Sequence, residues 1–132
     1  LNIYLDSSAL VKLVIAESES PALIKFLDSC GAHHFVTSAL SRTEVTLAAA
    51  TAGTEAQAQV RDQLASVDFI AVDDDVLLRA TQLFPRERLR TLDAIHIASA
   101  QVVGLSLESI VTYDQRMTDS ARRLGFAVVQ PA

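Results

Sequence analysis

Ile3-Tyr4-Leu5-Asp6-Ser7-Ser8-Ala9-Leu10-Val11 opens the chain with an apolar run that meets a carboxylate and passes at once into a second apolar segment. The first run suits a buried strand from Asn2 to Leu5; Leu10, Leu13 and Val14 then fall near one face of a helix from Ser7 to Ala16. Asp6 stands at the junction. In open parallel α/β sheets ligands bind in the crevice outside the carboxyl ends of the strands. A carboxylate placed there can hold a hard metal ion or steer a proton. It can also simply cap the helix, although Ser7 and Ser8 are equally available for that.

The same alternation continues along the chain. Glu17 to Pro21 is a break, Pro21 suits the first turn of a helix to about Ser29, and Gly31 stands where a helix C-terminal glycine is expected. His34 to Thr37 reads as the second strand. An alanine-rich helix from Ser38 or Ser41 to about Thr51 follows, ended by Gly53, with another helix over Thr54–Ser66. Phe69–Val72 is the third strand, and Asp73-Asp74-Asp75 leads a helix through Phe84 to the break at Pro85. Arg86 to Arg90 is a basic loop. Thr91 or Leu92 begins a helix through Val103, stopped by Gly104. Ser109–Thr112, a helix over Gln115–Leu124 and a last strand Ala127–Val129 complete the pattern. Strands that alternate with helices in this way imply a mainly parallel sheet covered on both faces.

Composition narrows the function. With 132 residues, half of them apolar, one domain over residues 1–132 with a real core is expected. No apolar stretch is long enough to cross a bilayer and no secretory leader is expected. Cys30 is the only cysteine, which excludes an internal disulfide and a Cys-based zinc site and fits a reducing cytoplasm. The net charge of −5 argues against a general nucleic-acid-coating protein. It leaves room for an enzyme that meets nucleic acid through a metal ion, since a bound cation inverts the local sign of an acidic site.

Four acids have comparable placements: Asp6 after strand one, Glu44 in the first turns of the helix after strand two, Asp93 at the start of the Leu92–Ala100 helix, and Asp114 after strand four. In a right-handed parallel sheet, strand C-termini and the helix N-termini that follow them gather at one edge. Asp93 reaches that edge only if its helix is oriented differently or a long connection carries the chain back. Each acid also has a local reading. Glu44 completes a Ser41-x-x-Glu44 capping box, Asp93 suits a helix dipole, and Asp114 suits a turn.

Taken together the pattern resembles the PIN-domain nucleases, among them the small toxins of VapBC toxin–antitoxin pairs. The matching segments are Ile3–Leu13, Thr37-Ser38-x-x-Ser41-Arg42-x-Glu44-Val45, Leu92–Ala100 and Val111–Met117, in the expected order across the whole chain. The resemblance implies a three-layer α/β/α sandwich around a five-stranded parallel sheet, with Asp6, Glu44, Asp93 and Asp114 converging as catalytic residues. It also implies a Mg2+- or Mn2+-dependent endoribonuclease, homodimerisation and a groove for a cognate antitoxin protein. Oxygen-rich sites suit these ions. Asp6, Asp93 and Asp114 are the expected metal ligands, Asp114 directly or through water. Glu44 is expected to position the attacking water or help hold a second ion, and Thr112 to support a carboxylate or a metal-bound water. A non-catalytic PIN-fold module that binds RNA or protein is the rival, and four intact acids argue against it.

Other residues read more plainly. His96, in Ile95-His96-Ile97, is expected to pack at a helix edge, with a general base as the alternative; the Asp73–Asp75 run is expected to cap its helix. Arg86, Arg88, Arg90 and Arg116 flank the acids and suit either RNA phosphates or a solvated surface. The alanine- and leucine-rich helices from Ser38 to Ser66 offer an apolar face to a partner or to the protein's own core. A haloacid-dehalogenase-type enzyme needs a second Asp where Ser8 stands, and a receiver domain needs a late lysine, but none follows Lys25.

Overall fold

Strand β1 (Asn2–Leu5) lies at the centre of a five-stranded sheet in the order β3-β2-β1-β4-β5, with β2 at His34–Ser38, β3 at Asp68–Ile70, β4 at Leu107–Val111 and β5 at Val128–Val129. All four pairings are parallel. The structure is a computed structural model describing residues 1–132. Successive side chains of a strand face opposite ways, and here they feed two cores. Ile3, Leu5 and Val111 pack with Ala9, Leu10 and Val14 of α1 (Ser7–Val14), Leu23 of α2 (Ser20–Ser29), Val45 and Ala49 of α3 (Leu40–Ala49) and Ala56 of α4 (Thr54–Ala65). Tyr4, Val36 and Ile110 face the other way. They pack with Leu83 just beyond α5 (Asp74–Gln82), with Ala94, Ile97 and Ala100 of α6 (Thr91–Val103), and with Met117 and Ala121 of α7 (Gln115–Arg123). This is the three-layer α/β/α sandwich, and it explains why β1 is apolar without alternation: both of its faces are covered.

Element ends differ from the sequence reading by a few residues, for reasons visible in the ladder. β3 stops at Ile70 rather than Val72 because its neighbour β2 ends at Ser38, the partner of Ile70. β4 starts at Leu107 rather than Ser109 because Asn2 pairs with Leu107, just after a 3-10 turn over Gly104–Ser106. Helix α1 ends at Val14, where Ile15 turns extended (φ −120°, ψ 118°).

The connection between α5 and α6 decides where Asp93 stands. The C-terminal residues Gln82 and Leu83 line one depression with Ala100, Gln101 and Gly104, while Val76 packs with Ile95 and Ala98. The two helices therefore run side by side in the same direction. Residues 83–90 must carry the chain back along α6 to its N-terminus, so the long return is the alternative the molecule uses. Glu87 anchors it. Its buried carboxylate accepts hydrogen bonds from Arg123 Nε (3.0 and 3.1 Å) and Nη2 (2.7 Å), and from Ser120 Oγ (2.7 Å), all on α7.

These donors, Arg123 first and Ser120 second, hold the Glu87 carboxyl at about 2, below its ordinary 4.5. A depressed folded-state pKa adds stability above the unfolded value, and that stability is lost as pH falls through the folded one. Glu87→Gln is therefore expected to melt below wild type at pH 7, and the gap should close between about pH 4.5 and 2. Thermal melts followed by circular dichroism across that range test this. A gap that stays constant down to pH 2.5 would show that the clamp is not what titrates.

Candidate active site

Asp6 leaves the end of β1 and serves as N-cap of α1, with its Oδ1 accepting from Ala9 N–H at 3.0 Å and from Ser8 Oγ–H at 2.6 Å. Oδ2 accepts from Thr112 Oγ–H at 2.5 Å. The two hydroxyls are themselves aimed by backbone: Tyr113 N–H donates to Ser8 Oγ (2.9 Å) and Asp114 N–H to Thr112 Oγ1 (3.1 Å). Two successive amides at the β4–α7 junction thus act through two hydroxyls on the two oxygens of one carboxylate. Asp114 caps α7 in the same manner, accepting from Met117 N–H at 2.9 Å. Asp93 lies in the first turn of α6 and Glu44 on α3. All four acids line one cleft of about 370 Å³, together with Ser8, Arg90, Thr91 and His96.

A carboxylate offers about two acceptor sites per oxygen. Asp6 Oδ1 has both engaged and Oδ2 has one, so a single lone pair of Oδ2 remains for a cation. Burial raises the Asp6 carboxyl above its ordinary value against the pull of Ser8, Thr112, His96 and Ala9, because removing a charge from water penalises its ionised form. Arg90 reaches the two neighbouring acids: its Nε stands 3.0 Å from Asp93 Oδ2 and its Nη2 stands 3.3 Å from Asp114 Oδ2. As placed, no three acidic or imidazole groups form a closed chelate; the guanidinium spans two of the acids instead. The free donors of Asp6, Asp93 and Asp114 are all carboxylate oxygens, the ligand type that magnesium and manganese prefer. The residues present therefore fit such an ion.

The model of the PIN domain family matches residues 3–123. The chain belongs to the PIN domain family. Among curated relatives it is 49% identical over 130 residues to Ribonuclease VapC46 of Mycobacterium tuberculosis, covering 98% of each chain. It is 41% identical over 132 residues to Ribonuclease VapC35 of the same species, covering 98% of this chain and 96% of the relative. Among solved structures, a toxin-antitoxin complex from Klebsiella pneumoniae shares the fold at TM-score 0.74 and 21% identity, covering 98% of both chains. M. tuberculosis VapC20, described as a sarcin-ricin loop cleaving toxin, shares it at TM-score 0.69 and 18% identity, also over 98% of both.

Within this PIN domain the four acids named from sequence meet at one cleft, but two local readings fail. Glu44 is not half of a capping box: α3 begins at Leu40 with no side-chain cap, and Ser41 bonds Thr37 Oγ1 at 2.6 Å. His96 does not simply pack at a helix edge. It is buried, and its Nε2 lies 2.7 Å from Glu44 Oε1. The capping reading of Asp73 holds, since it accepts from Val76 N–H at 3.0 Å. Sequence reasoning missed Ser8 and Tyr4 as supporting residues. Ser8 was legible only as an alternative helix cap and as the residue that spoils a rival motif, and Tyr4 only as part of an apolar run.

Proposed function

We propose that this chain, acting as one PIN domain over residues 1–132, is an endoribonuclease that hydrolyses RNA phosphodiester bonds with Mg2+ or Mn2+, and that it is the toxin of a toxin–antitoxin pair. The observation that supports the reading best is the meeting of Asp6, Glu44, Asp93 and Asp114 on one cleft with only oxygen donors left free for a cation. The names of the relatives support RNA as substrate. Asp6, Asp93 and Asp114 would hold the ion. Such an ion, when bound, lowers the pKa of a coordinated water and offsets charge on the phosphate.

The remaining work falls to the chain. Glu44 faces the cleft from α3 and orients the attacking water. Arg90 presents a planar fork suited to a phosphate. An adjoining depression of about 290 Å³, which shares Arg90 and Asp93 with the cleft, brings Arg88 and Arg116 alongside. Contacts of that kind position a nucleic acid through its backbone without reading sequence. On the opposite layer, Leu13, Val14, Ile15 and Ile24 meet Ala52 and Ala56 in a groove of about 440 Å³, and Leu47 is two-thirds exposed. We assign this side of the molecule to protein partners, the antitoxin and a second copy of the chain.

Purified protein is expected to cut RNA with Mg2+ or Mn2+, to stop in excess EDTA and to resume when Mn2+ is restored. Mapping the cut ends identifies the target. Cleavage that survives EDTA would remove the metal from the scheme. No cleavage with either ion would remove the enzyme.

A further inference from the structure

Tyr4, His96 and Glu44 form a hydrogen-bonded file that runs from the centre of the sheet to the cleft. The Tyr4 hydroxyl, fully buried on β1, accepts from Ser38 N–H at 3.2 Å and lies 2.7 Å from His96 Nδ1. The two rings meet edge-on, with centroids 6.0 Å apart and planes at 79°. His96 Nε2 lies 2.7 Å from Glu44 Oε1, and His96 is only 2% exposed. Three elements of the fold, β1, α6 and α3, each supply one member.

Glu44 fixes one proton of the file. An ionised carboxylate only accepts, so His96 Nε2 carries the hydrogen that faces Glu44. The Tyr4 oxygen accepts from Ser38 N–H and engages His96 Nδ1. Both ring nitrogens of His96 are thus engaged, Nδ1 by Tyr4 and Nε2 by Glu44. Oε1 is tied and Oε2 is left for the cleft.

We infer that Tyr4 and His96 are positioning residues of the reaction: Tyr4 seats the His96 ring through Nδ1, and His96 aims the Glu44 carboxylate at the water that attacks RNA. The inference rests on the ribonuclease reading above. Metal-site ligands commonly depend on outer partners of this type, whose removal costs about 10–100-fold in activity; Glu44 uses the same device as a water-orienting group.

The side chains of Gln and Asn separate this role from simple packing. Gln extends an amide nitrogen to the place of His96 Nε2, whereas Asn extends one only to the place of Nδ1. His96→Asn is expected to lower kcat by about 10–100-fold at unchanged KM, and His96→Gln to recover most of it, compared at equal folded fraction by circular dichroism. In 15N-histidine-labelled wild type, NMR should find His96 protonated at Nε2, and Tyr4→Phe should shift the Nδ1 resonance by removing its partner while Nε2 keeps its hydrogen. A bare Nε2 in wild type overturns the inference. So does RNA cleavage that depends on Asp6 but proceeds equally in His96→Asn and His96→Gln. Absence of cleavage in wild type and Asp6→Asn alike overturns the ribonuclease reading itself, and the catalytic role of the file with it.

Discussion

Asp6→Asn is expected to lower RNA cleavage by more than about 10²-fold, because loss of an outer-shell partner alone costs up to that much and Asp6 is proposed to touch the ion itself. The fold should survive. Asn keeps an oxygen for the Ala9 amide and the Ser8 hydroxyl, and its NH2 group meets Thr112, whose hydroxyl can turn to accept. In metal-free buffer the variant should melt at or above wild type. Burial raises the folded-state pKa of Asp6. A raised acid contributes its stability below its unfolded pKa and forfeits it as pH rises through the folded value, so at neutral pH the ionised group is a burden that Asn lacks. The pairing of lost activity with equal or greater thermal stability is the signature to measure, by cleavage assay and calorimetry on one preparation. A variant that cuts at the wild-type rate sinks the site assignment. A variant that no longer folds sinks the account of the cap.

The largest effect on stability is expected from Ile97→Ala. Ile97 is fully buried on α6 and packs in one core with Tyr4, Val36 and Ile110. Truncations of this kind cost about 2–5 kcal/mol, a large share of the roughly 5–15 kcal/mol that holds a domain together. The same helix carries Asp93 and His96, so loosening its seat on the sheet should also reduce activity in the folded fraction. Leu105 is the matched control. It lies on the 3-10 turn and is fully exposed, and Leu105→Ala should stay within about 0.5 kcal/mol of wild type. Urea titrations of the two variants decide the matter; equal midpoints would mean that the second core is misassigned.

The fold was legible because its signals are local. The apolar run before Asp6, the glycines after the helices and the regular return of short strands are each written within a dozen residues. Asp6 and Asp114 were legible for the same reason, since each sits at a strand–helix junction and caps the helix beside it. Asp93 was not legible from spacing. Its position depends on residues 83–90 returning along α6, a path pinned by Glu87 to Arg123, 36 residues away. The local readings of Glu44 as a cap and of His96 as a packing residue failed because each type has a common local role. Their true partner is the other, 52 residues away on a different helix.

The hydroxyl pair beneath Asp6 has a temporal consequence. Thr112 stands 106 residues downstream of the carboxylate it supports, and Asp114 beyond that. A polypeptide still emerging from the ribosome has made Asp6 and Glu44 but not the junction that completes their cleft. Incomplete chains, whether stalled or cut short before β4 has docked beside β1, are thereby expected to lack the assembled site. The completed cleft arrives only with the last stretch of synthesis.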